Sequence, residues 1–112
     1  MATVHELYAE GEKLKDEGKY EEAKDKFLEV LEVDESFALA HLALAVMYGK
    51  LGDHERAVKH GERACELDPE DAFSFTAMSV TYQRALMATQ DWQYKVKAEQ
   101  AMARAHMLEA RQ

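Results

Sequence analysis

The chain has a single cysteine, so no disulfide can close within it. Cys65 falls among the core positions of an expected helix, where a thiol acts as a small hydrophobe. Long apolar runs are missing too. None approaches the roughly 20 residues that a membrane-crossing helix needs, and the opening stretch MATVHELYAEGEK has no apolar centre of the signal-peptide kind. The expectation is a soluble, cytoplasmic protein with no membrane insertion. Basic residues are in short supply, with 14 Lys and Arg against 22 Asp and Glu and a formal net charge of −8. That balance speaks against nucleic acid, whose phosphates demand clustered cations, and no nucleic-acid partner is expected.

Motifs for chemistry are absent as well. There is no Gly-rich phosphate loop and no Gly-x-Ser-x-Gly elbow, the usual sequence supports for nucleotide binding and serine hydrolysis. The histidines His5, His41, His54, His60 and His106 include no pair three or four residues apart, the spacing at which one helix face holds a metal. Glu109 after His106 is an ordinary helix-surface pairing. Many carboxylates sit at lysine-pairing spacings, as in Glu21/Lys24 and Glu22/Lys26, which reads as solvated helix surface and not as an acid–base site. No catalytic residue, cofactor or metal is expected, and the chain is not read as an enzyme.

What the chain does have is a repeat. Residues 4–37 recur, class by class, in residues 38–71, placing Gly18 over Gly52, Glu21 over Glu55, Ala23 over Ala57, Glu32 over Glu66 and Asp34 over Asp68. Apolar classes match at Leu14/Tyr48, Val30/Ala64 and Val33/Leu67. A period of about 34 residues is the signature of stacked helical hairpins, and such units need neighbours because none buries its apolar face alone. With 47% hydrophobic residues in 112, the chain suits one folded domain.

The first unit predicts helices over Thr3–Glu17 and Tyr20–Val33 with a turn at Gly18-Lys19, and Ser36 as the next N-cap. The second predicts Phe37–Leu51 and His54–Leu67 around Gly52-Asp53, with Pro69 ending one helix and opening the next. A third unit, residues 72–112, begins as a copy: Phe75, Met78, Ser79 and Tyr82 fall where His41, Leu44, Ala45 and Tyr48 fall before. It then departs, with no glycine turn but a polar break at Thr89-Gln90-Asp91. Placing Ala98 over Ala57 gives this unit seven extra residues, about one turn for each of its helices. The prediction is a lengthened hairpin with helices over Pro69–Ala88 and Asp91–Arg111, and with Trp92 partly buried near the turn. Met78, Met87, Met102 and Met107, four of the six methionines, read as core filling.

These residues resemble the tetratricopeptide repeat family. Its loose pattern is met in the first copy by Leu7, Gly11, Leu14, Gly18, Tyr20, Ala23, Phe27 and Val30, and in the second by Leu44, Ala45, Tyr48, Gly52, Ala57, Ala64 and Pro69. Departures are Glu10 at a usually apolar position, His54 in place of an aromatic, Glu35 in place of the proline, and Gly61 where Phe27 stands in the first copy. Gly61 is expected to make room for a large neighbour such as Tyr82 or Phe75. The resemblance implies an all-α superhelix of stacked antiparallel hairpins, about six helices in one domain.

It also implies a concave face lined by the first helix of each hairpin. On this chain that face would hold His5, Tyr8, Ala9 and Glu12, then Leu39, Leu42, Ala43 and Val46, then Phe73, Thr76, Ala77 and Val80. One subgroup of the family binds acidic C-termini of heat-shock chaperones through a clamp of lysine, asparagine and arginine. The five clamp positions here hold Tyr8, Glu12, Ala43, Phe73 and Ala77, so that class of partner is not expected. The apolar members Tyr8, Leu39, Leu42, Val46, Phe73 and Val80 are expected to form one surface that hairpin packing leaves free. Such a trough suits an apolar or amphipathic protein segment, in an adaptor, scaffold or chaperone-like module. The alternative is an assembly module whose trough or last helix is covered by another copy. A charge of −7 on residues 4–37 and +2 on residues 72–112 would favour weak head-to-tail contact in such a homo-oligomer.

Overall fold

The computed structural model describes residues 2–111. Among them are six helices: α1 Val4–Asp16, α2 Tyr20–Val33, α3 Ala38–Lys50, α4 His54–Leu67, α5 Ala72–Thr89 and α6 Gln93–Ala110. The fold is all-α, as the repeat implies. Local chemistry sets the ends. Thr3 caps α1 in a reciprocal box, its hydroxyl accepting from the Glu6 amide at 3.1 Å while the Glu6 carboxylate accepts from the Thr3 amide at 3.4 Å. Asp53 and Asp71 cap α4 and α5 through the amides of Arg56 and Phe73.

The first two hairpins turn on glycine. Gly18 and Gly52 have φ of +79° and +86°, a left-handed conformation that a Cβ penalises. The next amide then reaches back, Lys19 to the Leu14 carbonyl at 2.9 Å and Asp53 to that of Tyr48 at 2.8 Å. The third hairpin makes its turn without glycine. Gln90 takes φ of 64° and its amide donates to Leu86 O at 2.8 Å, which explains how the pattern survives the missing residue. Helices α5 and α6 each have 18 residues, against 13 and 14 in α3 and α4, so each gains about one turn.

Each helix packs on its sequence neighbours, and α3 also meets α5 across the hairpins. The first part of the core joins Ala23, Phe27, Leu44, Met47, Tyr48 and Ala57, and the second joins Val58, Met78, Tyr82, Ala85, Ala98 and Ala101. Both use a glycine as a socket. A Cβ on Gly11 would stand 2.6 Å from the Phe27 ring, and one on Gly61 would stand 2.5 Å from Met78 Sδ. The large neighbour of Gly61 is thus Met78, not Tyr82 or Phe75, because the flexible thioether is the side chain that reaches across from α5.

Three other expectations are corrected. Ser36 caps nothing: its amide and hydroxyl both donate to Asp34 Oδ1, at 3.0 and 2.7 Å, and Phe37 occupies the cap position of α3. The carboxylate is the stronger acceptor in that turn. Pro69 does not open α5, since Asp71 provides the cap and the helix begins at Ala72. Trp92 is 68% exposed, lying at the N-cap of α6 with Lys95 Nζ 5.0 Å above its ring, so the hairpin closes without burying it.

Candidate binding face

The first helices of the hairpins differ sharply in what they show to solvent. On α1, Tyr8 is half-buried with its ring between Phe27 and Phe37, at centroid distances of 5.4 and 5.5 Å. Burial, and behind it the Glu12 carboxylate, push its hydroxyl up to about 12. Glu12 in turn lies 3.5 Å from Lys15 Nζ. Residues His5 and Ala9 are exposed, and the His5 ring meets Phe37 edge-on.

Between α3 and α5 the side chains that line the surface are mostly apolar. Leu42, Val46, Phe73, Thr76, Ala77 and Val80 come together around a cavity of about 280 Å³ between the two helices, with Met78, Gly61 and Arg84 also on its walls. Phe73 is 65% exposed and Val80 39%, whereas Leu42 is only 8% exposed. Thr76 turns its hydroxyl to its own helix, donating to Ala72 O at 3.1 Å, so it offers the cavity mainly its methyl group. Of the sequence-derived set, Tyr8, Glu12, Leu39 and Ala43 lie outside that lining. Leu39 is 52% exposed, and Ala43 packs on the first part of the core. The expectation of six apolar side chains spared from packing therefore needs correction at three of them. Leu42 is part of the packed interior, Val46 packs against the first part of the core, and Tyr8 makes tilted ring contacts with Phe27 and Phe37.

Two features were missed in the sequence. Arg84 is the single charged side chain on the cavity wall, and its signal was available, since it continues the helical spacing of Phe73, Ala77 and Val80. The other is a histidine pair. His41 on α3 and His60 on α4 bring their Nδ1 atoms within 3.0 Å, and His41 Nε2 lies 2.8 Å from the carbonyl of Glu35. A carbonyl only accepts, so Nε2 of His41 carries a proton; neutral His41 then accepts at Nδ1 from His60. Burial, with the neighbouring His41 charge second, lowers His60 from about 6.5 to about 4, and its ring stacks on Tyr48 at 5.5 Å. Arg63 locks Glu35 in place at 2.8 Å, holding that carboxyl below its usual range.

Burial pushes the half-buried Cys65 thiol up to about 11, so it stays protonated at neutral pH and its Sγ lies 3.6 Å from Ser74 O. Among the described residues no three His, Cys, Asp or Glu side chains gather where a metal could bind. No helix there is long and apolar enough to cross a membrane.

Short antiparallel hairpins, a 34-residue period and glycine sockets define a solenoid of α-hairpins. The tetratricopeptide repeat profile matches residues 8–72, more than half of the chain, which therefore belongs to that family. Solved structures agree on the fold. The second TPR domain of Spaghetti (RPAP3), bound to the HSP90 peptide SRMEEVD, is similar at 22% identity and TM-score 0.78, covering 94% of this chain and 91% of that one. The Yersinia enterocolitica type III secretion translocator chaperone SycD is similar at 18% identity and TM-score 0.83, covering 98% and 77%. YrrB, described as a TPR protein with an unusual peptide-binding site, is similar at 19% identity and TM-score 0.81 over 98% of this chain, which spans 53% of YrrB. No curated protein matches by sequence.

Proposed function

We propose that the chain is a non-catalytic protein–protein interaction module that takes an apolar or amphipathic protein segment into the groove between α3 and α5. The observation that carries this reading is the cavity flanked by Phe73 and Val80, two large apolar side chains left in water beside an apolar floor. Exposed apolar surface beside a concavity is a cost unless something covers it. Family membership and the peptide-bound state of one structural neighbour point the same way. Leu39 is exposed on α3 ahead of the cavity, while Leu42 and Val46 line the cavity on the α3 side.

The test uses the two exposed residues, not Leu42. Replacing Phe73 and Leu39 by Glu should lower affinity for amphipathic peptide probes at least tenfold, with far-UV dichroism and melting temperature unchanged. Burial of Phe73 alone contributes roughly 1.5 to 3 kcal/mol, and tenfold corresponds to about 1.4 kcal/mol. Undiminished binding by the double variant would remove the groove from consideration.

A second reading rests on α6. Val96 and Met107 stand exposed on its outer side, and Met87 is exposed near the end of α5, so another copy could cover the end of the stack. Molar mass across a dilution series separates the two, because a monomer at all concentrations leaves only the adaptor-type module.

A further inference from the structure

The chain has five arginines. Arg56, Arg63, Arg104 and Arg111 each sit by a carboxylate, at 2.8, 2.8, 3.7 and 3.6 Å. Among the described residues Arg84 has no such partner, in a protein carrying 22 Asp and Glu. It is also the one charged group on the wall of the apolar cavity. Helices α3 and α5 contain no Asp or Glu over their 13 and 18 residues, so the face supplies nothing for Arg84 to meet. Lys50, the other cation on these helices, is directed away, its Nζ 5.9 Å above the Tyr20 ring.

The backbone does not occupy Arg84 either. It lies against the last turn of α3, where Gly49 has no side chain; a Cβ there would be 4.0 Å from both its Cδ and Nη1. Three carbonyls of that turn already accept from amides, Met47 from Leu51 at 3.0 Å, Tyr48 from Asp53 at 2.8 Å and Gly49 from Gly52 at 3.2 Å, and among the described residues no hydrogen bond runs from Arg84 to the backbone. A guanidinium has five N–H donors in a planar fork that matches a carboxylate, and apolar neighbours strengthen such a pair by keeping water away.

We infer that the groove recognises a partner segment whose apolar anchors are followed, about one helical turn further on, by an Asp or Glu side chain that pairs with Arg84. This rests on the groove reading above and adds the charge and register of the segment. Val80 and Arg84 are one turn apart on α5, about 6 Å, so anchor and carboxylate should be separated by a similar length. The site is distinct in position from the five clamp positions, the last of which, Ala77, precedes Arg84 by about two turns.

The experiment is fluorescence anisotropy with the whole chain and a panel of C-terminally amidated amphipathic peptides. Their anchors are Leu, Ile, Met or Phe at i,i+4, and each is made as a pair differing only by Glu or Gln one turn beyond the second anchor. The Glu member should bind about tenfold more tightly at low salt, since a charge-assisted pair is involved. Arg84→Gln should abolish that preference while keeping binding of the Gln member, and Arg84→Lys should restore part of it. Equal affinities within every pair overturn the inference, as does a preference that survives Arg84→Gln. A role confined to stabilising the negative end of α3 predicts that equality. A third version, with Gln and a free C-terminal carboxylate, overturns the side-chain assignment if it alone gains affinity. If no peptide binds, the groove reading falls and this one with it. If Gln members bind and are lost with Phe73→Glu while no Glu preference exists, only this one falls.

Discussion

The histidine pair makes stability fall as the solution is acidified from neutral pH, and replacing His60 by Gln should remove most of that fall. His60 is the donor in a 3.0 Å bond between imidazoles, its ring half-buried against Tyr48. It faces His41 and Tyr48 of α3, with Glu35 next to His41 and Arg63 paired to Glu35 beyond. Its folded value is depressed from about 6.5 to about 4, so between those limits the unfolded chain binds more protons than the folded one. Stability is therefore full above about pH 6.5 and declines as the pH drops toward 4. At about 1.36 kcal/mol per unit, the whole difference would be some 3 kcal/mol. Water at the ring edge screens part of it, and only the portion above pH 5 lies clear of carboxylate titration, which leaves about 1 to 2 kcal/mol between pH 7.5 and 5. Glu35 and Asp53 have lowered values, and their contributions are lost further down, below the ordinary carboxylate range. Urea unfolding followed by far-UV dichroism at the two pH values gives the quantity directly. His60→Gln keeps an N–H for His41 and cannot titrate. Parallel pH slopes for the wild type and this variant would refute the reasoning.

The two glycine sockets should respond differently to an added methyl. Gly11→Ala drives a Cβ into the rigid Phe27 ring, with three ring atoms at 2.6 to 2.9 Å, and should cost about 1 to 3 kcal/mol in denaturant unfolding. Gly61→Ala meets the mobile end of Met78 and should cost less than half as much, since a thioether rotates away and the helix gains from alanine. Gln90→Gly should raise stability by up to about 1 kcal/mol, because it relieves a left-handed residue at φ of 64°; a lower melting temperature would show that the Gln90 side chain matters more than its backbone.

Legibility in the sequence followed the strength of local constraint. Helices α2 and α4 begin and end at the expected residues, Tyr20–Val33 and His54–Leu67, because each starts after a glycine turn and stops at an acidic residue that breaks the apolar period. The start of α5 was misplaced by reading Pro69 as a first helical residue, when the Asp71 carboxylate nearby captured the Phe73 amide. Leu42 and Phe73 looked alike as apolar positions on first helices, yet only one is buried. That difference depends on how closely α5 approaches α3, a distance no periodicity encodes. The pairing of His41 with His60 was hidden for the same reason, as the residues are 19 apart on opposite arms of one hairpin. Arg84 needed no tertiary information, only attention to the lone charge in an 18-residue helix.

The longer third hairpin carries its turn about one helical turn past the level of the second, and Trp92 stands there in water. As the protein's only tryptophan, it makes intrinsic emission a local gauge. An indole already solvated changes little when the core melts, so a fluorescence melt will follow this tip while dichroism follows the rest, and the two curves will separate without any folding intermediate. The same insensitivity makes the indole a quiet background against which anything docking at that end of the stack, a second copy included, would register as a blue shift.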